Sequence, residues 1–279
     1  MILAPGREHA VAMNARAMVL ASAAALALVL GQAACSRSGS FPARRATASA
    51  DAPDPGYRAA PQVSGVTKAA DGGVTLSGRA LPSSQVRMIS PAGASVETRA
   101  DGSGTWTALL GPVTEPVLYR LAEETGGQRV DAEGLVAVLP GAPTVALLRA
   151  GSGAVVVQDG GKLPLKLLAV DYDSAGAVVV SGLAHASSPV RLLVDGQPSI
   201  DGAAGPDGRF SLTLPKPLPP GRHQLQASTP QAMAETEVAI AAPTPPRNAP
   251  YQAQALPSGW RVDWITPGGG AQTTLLLAG

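Results

Sequence analysis

Apolar residues alternate with polar residues over short stretches of the chain, and glycine, proline or Asp-Gly turns end each stretch. In Thr105–Leu110 the alternation places Trp106 and every second residue after it on one face, and in Arg209–Leu214 it does the same for Phe210. A period of two residues is typical of a β-strand with one buried face. The 279 residues include 32 Gly and 26 Pro, which leaves little room for helices of ordinary length. The sequence therefore predicts an all-β fold.

The strand pattern occurs twice in the chain. Residues 73–110 align without a gap with residues 177–214, and Ser-Gly, Ser-Ser and Val-Arg pairs coincide in the two copies. Trp106 in the first copy matches Phe210 in the second, so each copy has one large aromatic residue at an equivalent place. We predict that the chain contains two small β-sandwiches in tandem, and that these two rings fill the structural core of each.

One motif of the first copy is shared with a known family. A glycine ends a β-run, a turn precedes a Val-x-apolar strand, and Asp101, Gly104, Trp106 and Leu110 then follow as Asp-x-x-Gly-x-Trp-x-x-x-Leu. This arrangement resembles bacterial immunoglobulin-like (Big-type) domains. The resemblance implies Greek-key β-sandwiches, found in tandem on envelope and surface proteins as spacers, stalks or interaction modules. The second copy departs from the motif, because its Asp207 stands next to the glycine.

The segments outside the repeats also read as β-structure. We place a connecting β-hairpin at 141–164, between Ig-like domain 1 at 62–140 and Ig-like domain 2 at 165–243. A Pro-rich linker and a C-terminal β-meander occupy 244–279. So small a meander is marginal by itself, so we expect it to dock either on the hairpin, in a third composite sheet, or on a partner protein.

The beginning of the chain has the features of an export signal. Ala17–Leu30 is an uncharged apolar run that is too short to span a bilayer, which predicts a signal peptide over 1–34. Cys35, the only cysteine, follows two alanines, and the arrangement resembles the lipobox of bacterial lipoproteins. The resemblance implies a lipidated Cys35. Gln32 stands where lipoboxes have Leu, so ordinary cleavage without a lipid stays an alternative, as does a start at Met13.

The predicted mature chain begins with a polar segment and has no net charge. Residues 35–61 are small, polar and Pro-rich, which predicts a disordered tether between the membrane and the folded part. Ser36 after the cysteine favours the outer membrane by the same resemblance, with the protein facing the periplasm or the cell surface. Without residues 1–34, the 21 basic and 20 acidic residues become 19 and 19. This balance gives no reason to expect a nucleic-acid partner.

Residues that could carry chemistry are few. His185 and His223 occur near turns without a neighbouring nucleophile motif, so we expect solvated histidines. Asp171–Gly176 resembles the first half of a calcium loop, but Ala175 stands at its fifth position and Gly182 stands where a bidentate Glu is required, so we expect a polar turn. Glu123 and Glu124 read as exposed strand charges. We therefore predict no catalytic residue, no metal and no cofactor; a hydrolase that depends on either histidine is a third, weaker hypothesis.

Trp260 and Trp264 are the two residues for which a binding role is the main alternative to a structural one. They alternate with Val262 on one strand face, where they could form a platform for sugar rings or the core of a small sheet. The function predicted is that of a non-enzymatic, lipid-anchored cell-envelope scaffold or protein-interaction module whose partner is another envelope protein. The alternative is a carbohydrate- or peptidoglycan-binding envelope module that uses the two tryptophans.

Overall fold

A computed structural model describes residues 58–142, 145–157, 165–247 and 249–278. These residues form β-strands joined by turns and contain no helix. The predicted signal peptide, Cys35 and residues 35–57 of the predicted tether lie outside the described residues.

The first sandwich, residues 62–138, has two facing sheets. One sheet has the strand order β1-β2-β5, and the other begins with the order β4-β3-β6-β7. The chain changes sheet after β2, after β4 and after β5, as in Ig-like sandwiches. The strands are β1 (Gln62–Lys68), β2 (Gly73–Arg79), β3 (Gln85–Ile89), β4 (Ser95–Arg99), β5 (Thr105–Pro112), β6 (Val117–Thr125) and β7 (Gln128–Val138).

A bridging hairpin follows the first sandwich and extends one of its sheets. It consists of β8 (Val145–Leu148) and β9 (Val155–Val157), which pair antiparallel. β8 also pairs antiparallel with β7, from Val138 opposite Val145 to Leu135 opposite Leu148. The four-stranded half of the sandwich thus continues as β4-β3-β6-β7-β8-β9.

The second sandwich, residues 165–240, repeats the topology of the first. Its sheets have the orders β10-β11-β14 and β13-β12-β15-β16, strand for strand the arrangement of the first sandwich. The predicted all-β fold with two tandem Ig-like sandwiches is therefore confirmed. The strands are β10 (Leu165–Asp173), β11 (Val178–Ala184), β12 (Pro189–Val194), β13 (Gln197–Ala203), β14 (Arg209–Thr213), β15 (Gly221–Ser228) and β16 (Met233–Ile240).

The two sandwiches also share an unusual turn geometry. Ser83 and Ser187, at matching places of the repeat, have φ angles of 62° and 59°, a region that residues with a β-carbon seldom adopt. The Ser83 N–H donates to the carbonyl oxygen of Asp101, and the Ser187 N–H donates to that of Gly205, each at 3.1 Å. The same strained conformation held by the same hydrogen bond indicates that both modules are built on one plan. Gly205, and not Asp207, occupies the place of Asp101.

Each sandwich has its own apolar core around one aromatic ring. Trp106 is 1% exposed in the first core and Phe210 is 3% exposed in the second. Trp106 packs with buried residues of both sheets, among them Leu76, Met88 and Leu121. Trp106 and Phe210 thus lie between the two sheets of their sandwiches, and the second core also contains the buried ring of Tyr172.

The C-terminal meander consists of β17 (Tyr251–Leu256), β18 (Gly259–Ile265) and β19 (Ala271–Leu277). β19 pairs antiparallel with β10, with Val170 opposite Leu275, so the order of the enlarged sheet is β14-β11-β10-β19-β18-β17. The expected composite sheet of hairpin and meander is therefore not formed. Strand β8 of the hairpin pairs with β7, and strand β19 of the meander pairs with β10, so each of the two segments extends a different sandwich.

The bridging hairpin and the C-terminal meander meet face to face. Their apolar side chains form a third core between the two six-stranded sheets, with Leu148 and Val156 on one side and Ala169, Trp264 and Leu276 on the other. These residues are at most 1% exposed. The two sandwiches are thus joined through a shared buried core.

Candidate functional site

Trp264 and Trp260 lie on the face of β18 that is turned toward the third core, but they differ in exposure. Trp264 is 1% exposed, and its indole Nε1 donates to Thr274 Oγ1 at 3.3 Å. Trp260 is only half-buried. A sugar-stacking platform needs two accessible rings, and the structure leaves only that of Trp260 partly open. Trp264 is therefore enclosed in the third core, whereas part of the Trp260 ring stays accessible.

A polar cluster, here called the latch, closes one side of the third core. Asp171 on β10 accepts hydrogen bonds from the backbone N–H of Ala154 at 2.7 Å and from Thr274 Oγ1 at 2.6 Å. Gln272 Nε2 donates a third bond to the same carboxylate at 3.2 Å. Since Ala154 belongs to the bridging hairpin and the other groups belong to the enlarged sheet, Asp171 binds the two six-stranded sheets to each other.

The expected polar turn at Asp171–Gly176 is thus only partly correct. The turn itself lies at 174–177, but Asp171 is in strand β10 and is 2% exposed. Burial raises the pKa of its carboxyl group to about 6, against the lowering effect of its three hydrogen-bond donors and of Arg149. This burial could not be predicted from local sequence, because the hydrogen-bonding partners of Asp171 are distant in the chain.

Gln272 on β19 completes the latch. Its Nε2 donates to the carbonyl oxygen of Arg149 at 3.1 Å, and its Oε1 accepts from the N–H of Gly151 at 3.0 Å. Arg149 in turn bonds the carbonyl oxygen of Gly153 with Nε at 3.0 Å and Nη2 at 2.7 Å. The loop of the bridging hairpin is therefore held by one side-chain amide of the C-terminal meander and by its own arginine.

The hairpin loop is also close-packed against the second sandwich. A β-carbon at Gly153 would lie 1.9 Å from Ser181 Oγ and 2.5 Å from Ser211 Oγ. Arg209 Nη1 donates to the carbonyl oxygen of Val156 at 3.0 Å, and burial lowers the pKa of that guanidinium below its usual value. Glycine at position 153 permits the close approach that the latch requires.

A second polar cluster attaches the Pro-rich linker to the meander. Arg261 and Asp263 form a largely buried ion pair with Nε and Oδ2 2.8 Å apart. Arg261 Nη1 donates to the Tyr172 hydroxyl at 3.1 Å, and Nη2 donates to the carbonyl oxygen of Ala242 at 3.1 Å. The hydrogen bond to Asp263 raises the pKa of Arg261 above its ordinary value. These contacts fix where the chain leaves the second sandwich and enters the linker.

His223 is not the solvated turn histidine that the sequence predicts. It lies in β15, is 7% exposed, and its Nδ1 is 2.8 Å from Asp195 Oδ2 while its Nε2 is 2.8 Å from the carbonyl oxygen of Pro219. Burial lowers its pKa, but the bonds to Asp195 and Pro219 outweigh that effect and the net shift is upward. Both ring nitrogens are occupied by structural partners. His185 lies in the exposed turn before β12.

Glu123 also differs from the exposed charge that was expected. Its side chain is buried at 2% exposure, and Oε2 accepts a hydrogen bond from the backbone N–H of Leu81 at 2.7 Å. The carboxylate therefore joins β6 to the turn between β2 and β3. The neighbouring Glu124 is exposed, in agreement with the expectation.

The described residues form two surface clefts of note. A polar cleft of about 280 Å³ lies between the turn at Ser83 and the β6–β7 turn at Gly126, with Arg99 and Glu124 in its lining. A much smaller one of about 20 Å³ lies at the latch, between Ser152 and Asp171. In the part of the chain that the structure describes, no three His, Cys, Asp or Glu side chains converge on one point as metal ligands. Nor is there a helix suited to cross a bilayer among those residues.

Comparison with known proteins gives no closer assignment. No family model matches the chain, and no curated protein matches it. Similar solved structures include the central fibronectin-III array of RIM-binding protein, with 13% identity over 78% of this chain and 89% of that chain and a TM-score of 0.27. They also include the Yersinia pseudotuberculosis adhesin InvE, at 14% identity over 76% and 72% of the chains with a TM-score of 0.22.

A third similar structure is the tetra-tandem repeat in the extending region of a large adhesion protein, at 14% identity over 79% of this chain and 66% of that chain, with a TM-score of 0.22. Because each of these TM-scores is below 0.5, the likenesses add nothing to the strand topology. That topology defines the chain as a protein of tandem Ig-like β-sandwiches.

Proposed function

We propose that this protein is a non-enzymatic, lipid-anchored component of the cell envelope whose two sandwiches act together as one protein-interaction module. The observation that carries the proposal is the third core, which joins the two sandwiches through buried apolar side chains instead of a free linker. A module of this kind presents the surfaces of both sandwiches to a partner in a fixed geometry.

The strength of the connection supports this proposal. Leu148, Val156, Trp264 and Leu276 are buried at the junction, and burying a side chain of this size contributes about 1.5–3 kcal/mol. The latch then adds directional hydrogen bonds across the same junction through Asp171. Ordinary domain contacts in one chain are more polar and permit relative motion. The two sandwiches should therefore keep one relative arrangement when a partner binds.

The non-enzymatic part of the proposal is supported by what the buried polar residues do. Asp171, His223, Glu123 and Asp263 each bond to backbone or to a neighbouring side chain that belongs to the framework. A catalytic acid or base must instead present its proton-transfer atom toward a substrate. These four buried side chains are thus used to join strands and loops.

The lipid anchor is supported by the sequence before the sandwiches. Cys35 follows an apolar run of signal-peptide length, and a polar, Pro-rich segment separates it from β1. An acyl chain at that position would hold the two sandwiches at the outer membrane, facing the periplasm or the cell surface.

Metabolic labelling with a fatty acid tests the anchor. We expect the wild-type chain to incorporate the label and to sediment with membranes, and the Cys35→Ser variant to lose both properties while its circular dichroism spectrum is unchanged. A Cys35→Ser chain that is labelled as strongly as the wild type, or a wild-type chain in the soluble fraction, would overturn the lipid anchor.

Site-specific photo-crosslinking in intact cells tests the interaction module. Leu109 on β5 and Met233 on β16 are large apolar side chains with 73% and 65% exposure, so a crosslinker at either place samples the surface without disturbing a core. Protein adducts at one of these positions, and none from a position in the third core such as Leu148, would support the module. Absence of any protein adduct at both exposed positions and at a third crosslinker in place of exposed Ala255 on β17 would contradict it.

A further inference from the structure

β17 is the terminal strand of the sheet that contains the C-terminal meander. Its sequence, Tyr251–Leu256, has no charged residue, no proline and no glycine, and its register with β18 runs without a bulge. An edge strand of this kind exposes unpaired N–H and C=O groups, to which another strand can bind.

Other terminal strands of the described sheets are protected in ways that β17 is not. β13 has a register shift where it pairs with β12. On the edge strand β5, the Thr107 carbonyl oxygen accepts a hydrogen bond from Thr98 Oγ1 of β4 at 2.7 Å. Charges or a proline also interrupt three terminal strands: Glu97 and Arg99 in β4, Pro198 and Asp201 in β13, and Glu235 and Glu237 in β16. Such features are how natural sheets avoid pairing at their edges. Their lack in β17 indicates that this edge has a partner.

The hydrogen bonding of β17 to β18 shows which groups point outward. The N–H of Ile265 donates to the carbonyl oxygen of Pro250 at 3.0 Å, which makes that position a hydrogen-bonded pair. In an antiparallel ladder the hydrogen-bonded residues alternate, so Gln252 and Gln254 also direct their backbone groups at β18. Tyr251, Ala253 and Ala255 therefore direct their N–H and C=O groups at the free edge.

We propose that β17 pairs antiparallel with β17 of a second copy of this chain, with Ala253 of one copy opposite Ala253 of the other. In this register Tyr251 lies opposite Ala255 of the other copy, so all the outward backbone groups of these three residues find partners. The register also keeps equivalent faces together, because residues opposite each other in a pair project to the same side of the sheet. The edge is thus complementary to itself.

The side chains suit the same register. Gln252 and Gln254 are exposed and would meet each other across the new pair, where two amides can exchange hydrogen bonds and no like charges face each other. On the opposite face, Ala255 is paired with Trp260 of β18, whose ring is only half-buried. Tyr251 of the second copy would lie beside Ala255 on this face, with its hydroxyl still donating to the carbonyl oxygen of Pro116 in its own chain at 3.1 Å.

This inference deepens the proposed interaction module by naming its partner, and it rests on that proposal. Anchoring both copies to one membrane would raise their local concentration, so a modest interface could suffice. The self-pairing of β17 requires no particular chemistry at Cys35, and a failure of one proposal can therefore be separated from a failure of the other.

Introducing charges of either sign at the exposed glutamines tests the pairing. We would measure the mass of the full chain by analytical ultracentrifugation in detergent, with micelles in excess over chains, for wild type, Gln252→Lys/Gln254→Lys and Gln252→Glu/Gln254→Glu. Position 252 lies opposite Asp263 of β18, and position 254 lies opposite Arg261. Each double variant therefore gains one attractive and one repulsive charge interaction with β18, so the two should affect the fold alike. We expect a dimer for wild type, monomers for each variant alone, and a dimer for their equimolar mixture.

Three outcomes would overturn the inference. They are a wild-type chain that stays monomeric at concentrations of hundreds of micromolar, a double variant that dimerises as well as wild type, or a mixture that does not recover the dimer. A monomeric wild type whose photo-crosslinked adducts vanish in both double variants would show that another protein occupies this edge. Thermal unfolding of the two variants that matches wild type diluted until it is monomeric is the control for the fold.

Discussion

Gly182 lies directly opposite Phe210 in the β11–β14 pair, and the aromatic ring covers the glycine. A β-carbon at position 182 would be 2.4 Å from Phe210 Cζ and 2.0 Å from the carbonyl oxygen of Lys166. In the first sandwich Gly78 lies opposite Trp106 in the same way, and its β-carbon would be 2.5 Å from the indole ring. The glycine of each repeated Ser-Gly pair therefore leaves open the space that the aromatic ring opposite it occupies.

Replacing Gly182 by alanine should destabilise the protein, because the added methyl group would push against both the Phe210 ring and a strand backbone. Overpacking of this kind costs about 1–3 kcal/mol, and the backbone contact places the expected loss in free energy of unfolding at the upper end. Urea denaturation measures it. Gly111→Ala, where a β-carbon meets nothing within 4 Å, is the matched control and should change the free energy of unfolding by less than about 0.5 kcal/mol. Equal midpoints for the two variants would contradict this account of the repeat.

Trp264 and Trp260 should differ sharply when each is truncated. Trp264→Ala removes the largest side chain of the third core and should cost about 3–5 kcal/mol. Trp260→Ala, on the same face of β18 but half-buried, should cost clearly less. Since the third core joins the sandwiches, hydrogen exchange in Trp264→Ala should accelerate first in β8 and β9. Similar costs for the two tryptophans, or unchanged protection of the hairpin, would show that the sandwiches are joined elsewhere.

The sequence was informative wherever a feature is local. The alternation around Trp106 and Phe210 and the repeated Ser-Ser and Asp-Gly turns predict strands, turns and duplication, since strand period and turn conformation depend on neighbouring residues. The positive φ of Ser83 and Ser187 was not predictable from residue type, because serine rarely adopts it. The gapless repeat was the only signal that both turns share one geometry.

The junction between the sandwiches could not be predicted, because it depends on contacts between distant segments. Asp171 bonds Thr274, which is 103 positions away, and Gln272 bonds the Arg149 carbonyl, which is 123 positions away. Single-strand periodicity shows which face of a strand is apolar but not which sheet it joins. For that reason the bridging hairpin and the meander were expected in one sheet, and buried Glu123 and His223 were expected in solvent.

The pair formed by His223 and Asp195 should make stability depend on pH. The pKa of His223 is raised in the folded protein, so its contribution is fully present below its ordinary value near 6.5 and is lost as pH rises through the folded pKa. We expect the imidazole titration measured by NMR to shift to lower pH in Asp195→Asn, which removes the charged acceptor. Asp201→Asn, which breaks only an exposed pair with Arg191, is the control. A His223 titration that is the same in both variants would contradict the role of Asp195.

Asp171 should give a second pH dependence, which Asp171→Asn removes. Burial raises the pKa of its carboxyl group to about 6 in the folded state, whereas an unfolded chain has the ordinary value of 3.8. The folded state therefore holds the proton more tightly, so its stability is greatest below pH 3.8 and decreases as pH rises to about 6. A difference of two pKa units corresponds to at most about 3 kcal/mol. Urea denaturation between pH 4 and pH 8 measures this loss.

Asparagine at position 171 keeps an oxygen that can accept the Ala154 N–H but has no charge to bury. We therefore expect Asp171→Asn to be as stable as wild type near pH 4 and more stable above pH 7, with the gap opening between those values. Asp131→Asn, which alters an exposed pair with Arg129, should follow the wild-type curve. If Asp171→Asn is instead less stable than wild type above pH 7, the three hydrogen bonds to the carboxylate outweigh its burial. In that case the latch holds the sandwiches together through an ionised Asp171.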